Sequence, residues 1–160
     1  PARSASRGPA QGAPRVIEFD VKIKGFDTLD RDIGEAIETE LARVMEEGAE
    51  KARATHAFRD RSGALRASIH AGIEGSWEGG DLEGVLLADA EHASHVEEGT
   101  RPHVIVPSRG RALFWPGAKH PVARVNHPGT KATHFIRESV NPGAASNRLA
   151  AAAARAADKK

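Results

Sequence analysis

The chain has 160 residues, 39% of them apolar and only 4% aromatic, with 23 Lys and Arg against 22 Asp and Glu and no Cys. That length suits one domain with tails, and the lack of Cys excludes a disulfide framework, a thiolate zinc site and a Cys nucleophile. No run approaches the roughly 18 apolar residues of a membrane span, so a soluble protein with no membrane partner is expected, and the scarcity of large apolar side chains points to an oligomer whose subunits share burial.

Residues 1–14, rich in Pro, Gly, Ser and Arg, read as a flexible basic arm. From Val16 to Lys24, Ile17, Phe19, Val21 and Ile23 alternate with polar residues, the period of a strand with one buried face. After Gly25, Asp27 or Thr28 can cap a long amphipathic helix predicted from Thr28 to Thr55. Its apolar stripe is Leu29, Ile33, Ile37, Leu41, Val44, Met45, Gly48 and Ala52, and charged residues such as Glu35, Glu38, Arg43 and Glu47 occupy the other face. In the stretch from Phe58 to Ile69, Ser62 can cap a short helical turn that Leu65 and Ile69 anchor to the core. No His or acid stands at a spacing that would make Ser62 a nucleophile.

Ser68–Trp77 and Leu82–Ala88 read as strands joined by Glu78-Gly79-Gly80-Asp81 into a hairpin. A short helix from Ala90 to Glu98 closes at Gly99. Val104–Val106 and Ala112–Trp115, around Pro107-Ser108-Arg109-Gly110, suggest a second, protruding hairpin. A helix is predicted to start at Thr133 and run to Val140, where Asn141-Pro142-Gly143 interrupts it. An Ala-rich helix follows from about Ala144 to Ala157, with so little apolar grip beyond Leu149 that it is expected to be ordered only against a neighbour.

Charge is segregated although the net charge is only +1. From His70 to Thr100 there are eight acids (Glu74, Glu78, Asp81, Glu83, Asp89, Glu91, Glu97 and Glu98) and no Lys or Arg; from Arg101 to Lys131 there are six bases (Arg101, Arg109, Arg111, Lys119, Arg124 and Lys131) and no acid. Solubility alone does not call for such segregation, whereas subunits meeting head to tail can use it to set orientation. The eight His invite a metal reading, with His92 and His95 at i and i+3 joined by His103 or His127, but that spacing is unspecific. Neither a zinc-protease HExxH pair nor a phosphate-loop glycine pattern occurs. The cations of the 101–131 loop, with Phe114 and Trp115 between them, could also contact phosphates and bases.

Four pieces in this order, Asp60-Arg61-Ser62-Gly63-Ala64-Leu65-Arg66-Ala67-Ser68-Ile69, Val96-Glu97-Glu98-Gly99-Thr100-Arg101-Pro102-His103, Asn126-His127-Pro128-Gly129-Thr130-Lys131 and Phe135-Ile136, resemble a family of tailed-phage tail components. The resemblance spans about Asp27 to Val140. His95 stands where that family often has an aromatic, and Thr133-His134 replaces its small-residue and Pro approach to the next helix. The resemblance implies a virion protein, made in the host cytoplasm, at the head-tail junction or tail end of a long-tailed phage, in a tail-completion, tail-terminator or connector role. It implies no enzymatic activity, no cofactor and no metal. Its partners would be copies of itself in a ring, hexameric if it follows the tail's symmetry, then neighbouring neck proteins, the tail-tube protein and DNA in the channel. The expected fold is α+β: an antiparallel sheet crossed by one long amphipathic helix, with a protruding basic loop and a C-terminal helix. The domain would span 15–140, with 141–160 as an Ala-rich helical tail. The expected contact residues are Glu91, Glu97, Glu98, Arg101, His103, Arg109, Arg111, Trp115, Arg124 and Lys131, acids of one subunit meeting bases of the next. The alternative is a non-enzymatic DNA-binding protein using the 101–131 loop.

Overall fold

The computed structural model describes residues 17–24, 30–108 and 110–159; the N-terminal arm, Asp27, Thr28, Leu29 and Arg109 lie outside them. Strand β1 (Ile17–Lys24) alternates as its sequence does, with half-buried Val21 and Ile23 between exposed Asp20, Lys22 and Lys24. It pairs antiparallel with β3 (Asp81–Ala88), which also pairs antiparallel with β2 (Ile69–Ser76), giving the order β1-β3-β2. Ala88 lies opposite both Ile17 and Ile69, and Asp81 opposite both Lys24 and Ser76. The predicted hairpin is therefore present, and Gly80 takes the positive φ that its turn requires.

Helix α1 (Arg31–Ala54) crosses this sheet and buries Ile37, Leu41, Val44, Met45, Ala49 and Ala52. Its cap is Asp30, whose carboxylate accepts a hydrogen bond from the Asp32 amide at 3.0 Å. Close approach of helix to sheet depends on Gly84 of β3: a Cβ there would lie 2.7 Å from Met45 Cγ and 3.0 Å from Leu41 Cδ1.

The Asp60–Ile69 stretch locks the far end of α1. Asp60 accepts from the backbone amides of Gly63 at 2.8 Å and Arg66 at 2.9 Å, whereas Ser62 reaches only the Ala64 amide, at 3.3 Å. Asp60, more than the predicted Ser62, thus organises the short helix α2 (Ala64–Ala67), and the Arg66 amide is the main reason its carboxyl sits below the usual range. The Arg66 guanidinium turns back to cap α1, donating to the carbonyls of Arg53 and Thr55, and covers the Phe58 ring at 4.9 Å. Phe58 in turn meets Phe135 edge to face at 4.9 Å.

Two predicted elements differ. In place of a helix from Thr133 to Val140 there is a single turn at 135–139, with the Glu138 amide on the His134 carbonyl at 2.8 Å. Helix α4 (Pro142–Ala157) begins directly after it: Pro142 occupies the first turn, where its missing N–H is harmless, and the Asn141 side chain caps the Ala144 amide at 3.0 Å. The expectation that this helix needs a neighbouring subunit is corrected. Its stripe of Ala145, Leu149, Ala152 and Ala156 is buried within the chain, where α4 packs on α1.

An ion-pair cluster fixes that packing. Glu40 is 8% exposed on the α4 side of α1 and receives Arg43 at 2.9 Å and Arg148 at 2.7 Å, while Arg148 also grips Glu47. The hydrogen bond from Arg43, then that from Arg148, holds the Glu40 carboxyl below the usual range against the upward pull of its burial. Arg148 does the same for Glu47. Because both folded-state pKa values are depressed, their stabilisation is present above the unfolded value, near 4.3 for Glu, and is lost as pH falls through the folded values. Arg148→Ala should therefore destabilise the protein by about 2 kcal/mol at pH 7. In urea melts the gap between variant and parent should close below roughly pH 4; a gap independent of pH would show that Arg148 acts through its packing and not through the two carboxylates, and no gap at any pH would show that α4 is held by its alanines alone.

Candidate subunit interface

The motif pieces on either side of the long loop come together in space. Helix α3 (Ala93–Glu97) ends at Gly99, which takes φ +71°. Thr100 then pairs antiparallel with Thr130 through two backbone hydrogen bonds of 3.0 and 3.1 Å, and their hydroxyls lie 3.1 Å apart. Gly129 has φ +86°. A Cβ on Gly99 would run into the backbone from Thr130 to Ala132, and one on Gly129 into that from Thr100 to Pro102. Two chain segments thus cross at a distance only glycine permits, and this crossing is the base of a ribbon.

Beyond the base, β4 (His103–Ile105) pairs with β5 (Val125–His127), with the His103 and His127 rings 5.0 Å apart, and Leu113 forms a further bridge to Val122. The predicted pairing of Val104–Val106 with Ala112–Trp115 is corrected: the clamp at Thr100 and Thr130 sets the register, so each half pairs with the returning chain. The ribbon is barely covered. Val104 is 54% exposed, Val106 61%, Phe114 68% and Trp115 46%.

Among the expected contact residues, Glu91, Glu98, Arg101, His103, Arg111, Trp115, Arg124 and Lys131 are all exposed, whereas Glu97 is 2% exposed. The place of Glu97 in a charged contact surface is corrected. Its two carboxylate oxygens accept the backbone amides of Ile136 at 3.0 Å and Arg137 at 3.2 Å, and so cap the turn that carries Phe135 and Ile136 into the core. Glu98, next to it, points outward to Arg137 at 3.0 Å. Sequence neighbours thus have opposite roles, and only the need of the 135–139 turn for an amide acceptor could have distinguished them.

His92 and His95 are both exposed. A different set, Glu97, Glu98 and His134, brings its ligand atoms within 4.8 Å of one another. Glu97 is committed to two amides and Glu98 to Arg137, which leaves His134 Nδ1, buried without a hydrogen-bond partner, as the uncommitted donor of the three. Among the described residues no helix is long and apolar enough to cross a membrane.

Residues 21–99 match the HK97-gp10-like family model, described as "Bacteriophage HK97-gp10, putative tail-component". The chain belongs to this phage tail-component family. The match begins within β1 and ends at Gly99, so it takes in most of the three-stranded sheet, α1, the Asp60–Ile69 lock and α3, while the ribbon and α4 of this tail component follow it. Neither the curated proteins nor the solved structures give a match. Membership gives this tail component a structural role in a phage particle, and the α+β fold with a long helix over an antiparallel sheet is the one its sequence predicts.

Proposed function

We propose that this tail component builds a ring at the head-tail junction or tail end of a long-tailed phage, as a tail-completion, tail-terminator or connector protein. Copies meet head to tail, acids of the 74–98 region facing the ribbon of the next subunit. A sixfold ring would follow the tail's symmetry, with neck proteins and the tail-tube protein above and below it and DNA passing through. The observation that carries the proposal is the ribbon itself. Arg101, Arg111, Lys119, Arg124 and Lys131 are exposed and form no salt bridge among the described residues, and two aromatic rings stand in solvent beside them.

Two-stranded ribbons are marginal in water on their own, so a cover for this one fits its composition. A DNA-binding role through residues 101–131 draws on the same cations and on Phe114 and Trp115; it requires an affinity for free DNA that falls steeply with salt. Deleting the gene from its phage tests the ring proposal. Separate filled heads and tails in electron micrographs are expected, and normal infectious particles would refute it.

A further inference from the structure

We propose that the ribbon tip of one copy, led by Phe114 and Trp115, seats in an acidic groove between α1 and β2 of the next copy. This rests on the ring reading above and names the surfaces that would make it. The groove, of about 700 Å³, is lined by Glu35, Glu38, Thr39 and Ala42 of α1, by Ile73 and Ser76 of β2, and by Trp77 and Glu78 of the turn. Two apolar side chains of its lining, Trp77 and Ile73, are firmly held. The Trp77 indole lies against α1 at Gly34, where a Cβ would collide with the ring, and Ile73 is packed on the main core.

Three carboxylates line the groove. Glu35 is paired with Arg31 at 2.8 Å, whereas Glu38 and Glu78 have no salt bridge among the described residues. The ribbon offers the complement: two exposed rings, with the exposed cations Arg111 and Lys119 on either side in sequence and no acid between residues 101 and 131. An aromatic pair meeting Trp77 and Ile73 while cations meet the groove's carboxylates matches the anatomy of protein interfaces, in which aromatic residues and Arg are enriched.

The fold separates the groove from the root of the ribbon, and this favours a second copy as occupant. The groove lies at the Asp81 end of β3, beside the hairpin turn, whereas the chain reaches the ribbon from the Ala88 end through α3. Those ends are roughly 20 Å apart along an eight-residue strand. A plug at one end and a socket at the other make a heterologous contact, which repeats from copy to copy and closes into a ring when the rotation permits.

The test uses the full chain in assembled particles. A Trp115→p-benzoylphenylalanine variant, supplied in trans to a phage lacking the gene, is irradiated in purified virions, and the cross-linked peptides are sequenced; a Phe114→p-benzoylphenylalanine variant serves if the first does not fold. Cross-links from the tip to residues 35–42 or 73–78 of another copy are expected. Cross-links to DNA, to another virion protein or to a different surface of this chain would overturn the docking while leaving the virion role intact. Absence of both folded variants and of the parent chain from particles would overturn the ring reading itself, and the docking with it. Charge reversal supplies the second readout. Glu38→Lys with Glu78→Lys, or Arg111→Glu with Lys119→Glu, should each lower incorporation at least tenfold, and the fourfold reversal should restore it; loss without restoration would count against this pairing.

Discussion

Replacing Glu97 with Ala is expected to remove about 4 kcal/mol of stability. The carboxylate is 2% exposed and accepts two backbone amides, those of Ile136 and Arg137. Truncation leaves both donors without their acceptor, at about 1–3 kcal/mol for the buried Ile136 amide and less for the part-buried Arg137 amide, and opens a void beneath the turn. Phe135, Ile136 and Val140, each 5% exposed or less, are tethered by that turn, so the core that α1 and α4 share should loosen with it. A fall in melting temperature of roughly 10–15 °C is expected. Glu97→Gln should lose less, since its carbonyl oxygen can still accept one amide while its NH₂ group opposes the other. A melting point for Glu97→Ala within a degree or two of the parent would show that the 135–139 turn holds itself. It also follows that Glu97→Lys would fail by unfolding, so only Glu98 of that pair can probe assembly by charge reversal.

Gly129→Ala should open the base of the ribbon. Two costs combine there: a left-handed backbone at φ +86°, worth about 1–2 kcal/mol for a residue with a Cβ, and a collision of that Cβ with the Thr100 carbonyl. The collision is with backbone, so the pair can separate only by breaking the reciprocal Thr100–Thr130 hydrogen bonds. A total of about 3 kcal/mol is expected, felt locally as faster hydrogen exchange of the Thr100 and Thr130 amides. Gly117→Ala is the control. Gly117 also has a positive φ, +96°, but a Cβ there would meet nothing within 4 Å, so only the left-handed cost remains. Equal losses at the two positions would mean that the crossing is not close-packed.

What the sequence revealed depended on how local each signal was. The α1 stripe and the β2-β3 hairpin rest on periodicity and on a Gly-Gly turn, and both are present. Chain-order reasoning paired the ribbon strands with their nearest neighbours in sequence, because nothing local says that Thr100 meets Thr130 thirty residues on. Likewise α4 looked too poor in apolar residues to dock, since its alanine stripe gains value only against α1, with Arg148 reaching Glu40 across 108 positions of chain. Glu97 and Glu98 were indistinguishable as sequence neighbours; the fold sends one inward to cap a turn and the other outward. The family pattern, by contrast, was legible, and the structure gives its pieces a physical sense: Asp60 and Arg66 close α1, Gly99 and Gly129 let two backbones cross, and Phe135-Ile136 anchors the returning chain.

The most direct measurement is the copy number of this protein in purified virions, by quantitative mass spectrometry scaled to the portal and the tail-tube subunit. A ring at the junction or tail end predicts a small fixed number per particle, about six or twelve for one or two sixfold layers. Its absence from finished particles, or a number that varies between preparations, would contradict a ring and return DNA binding to the front.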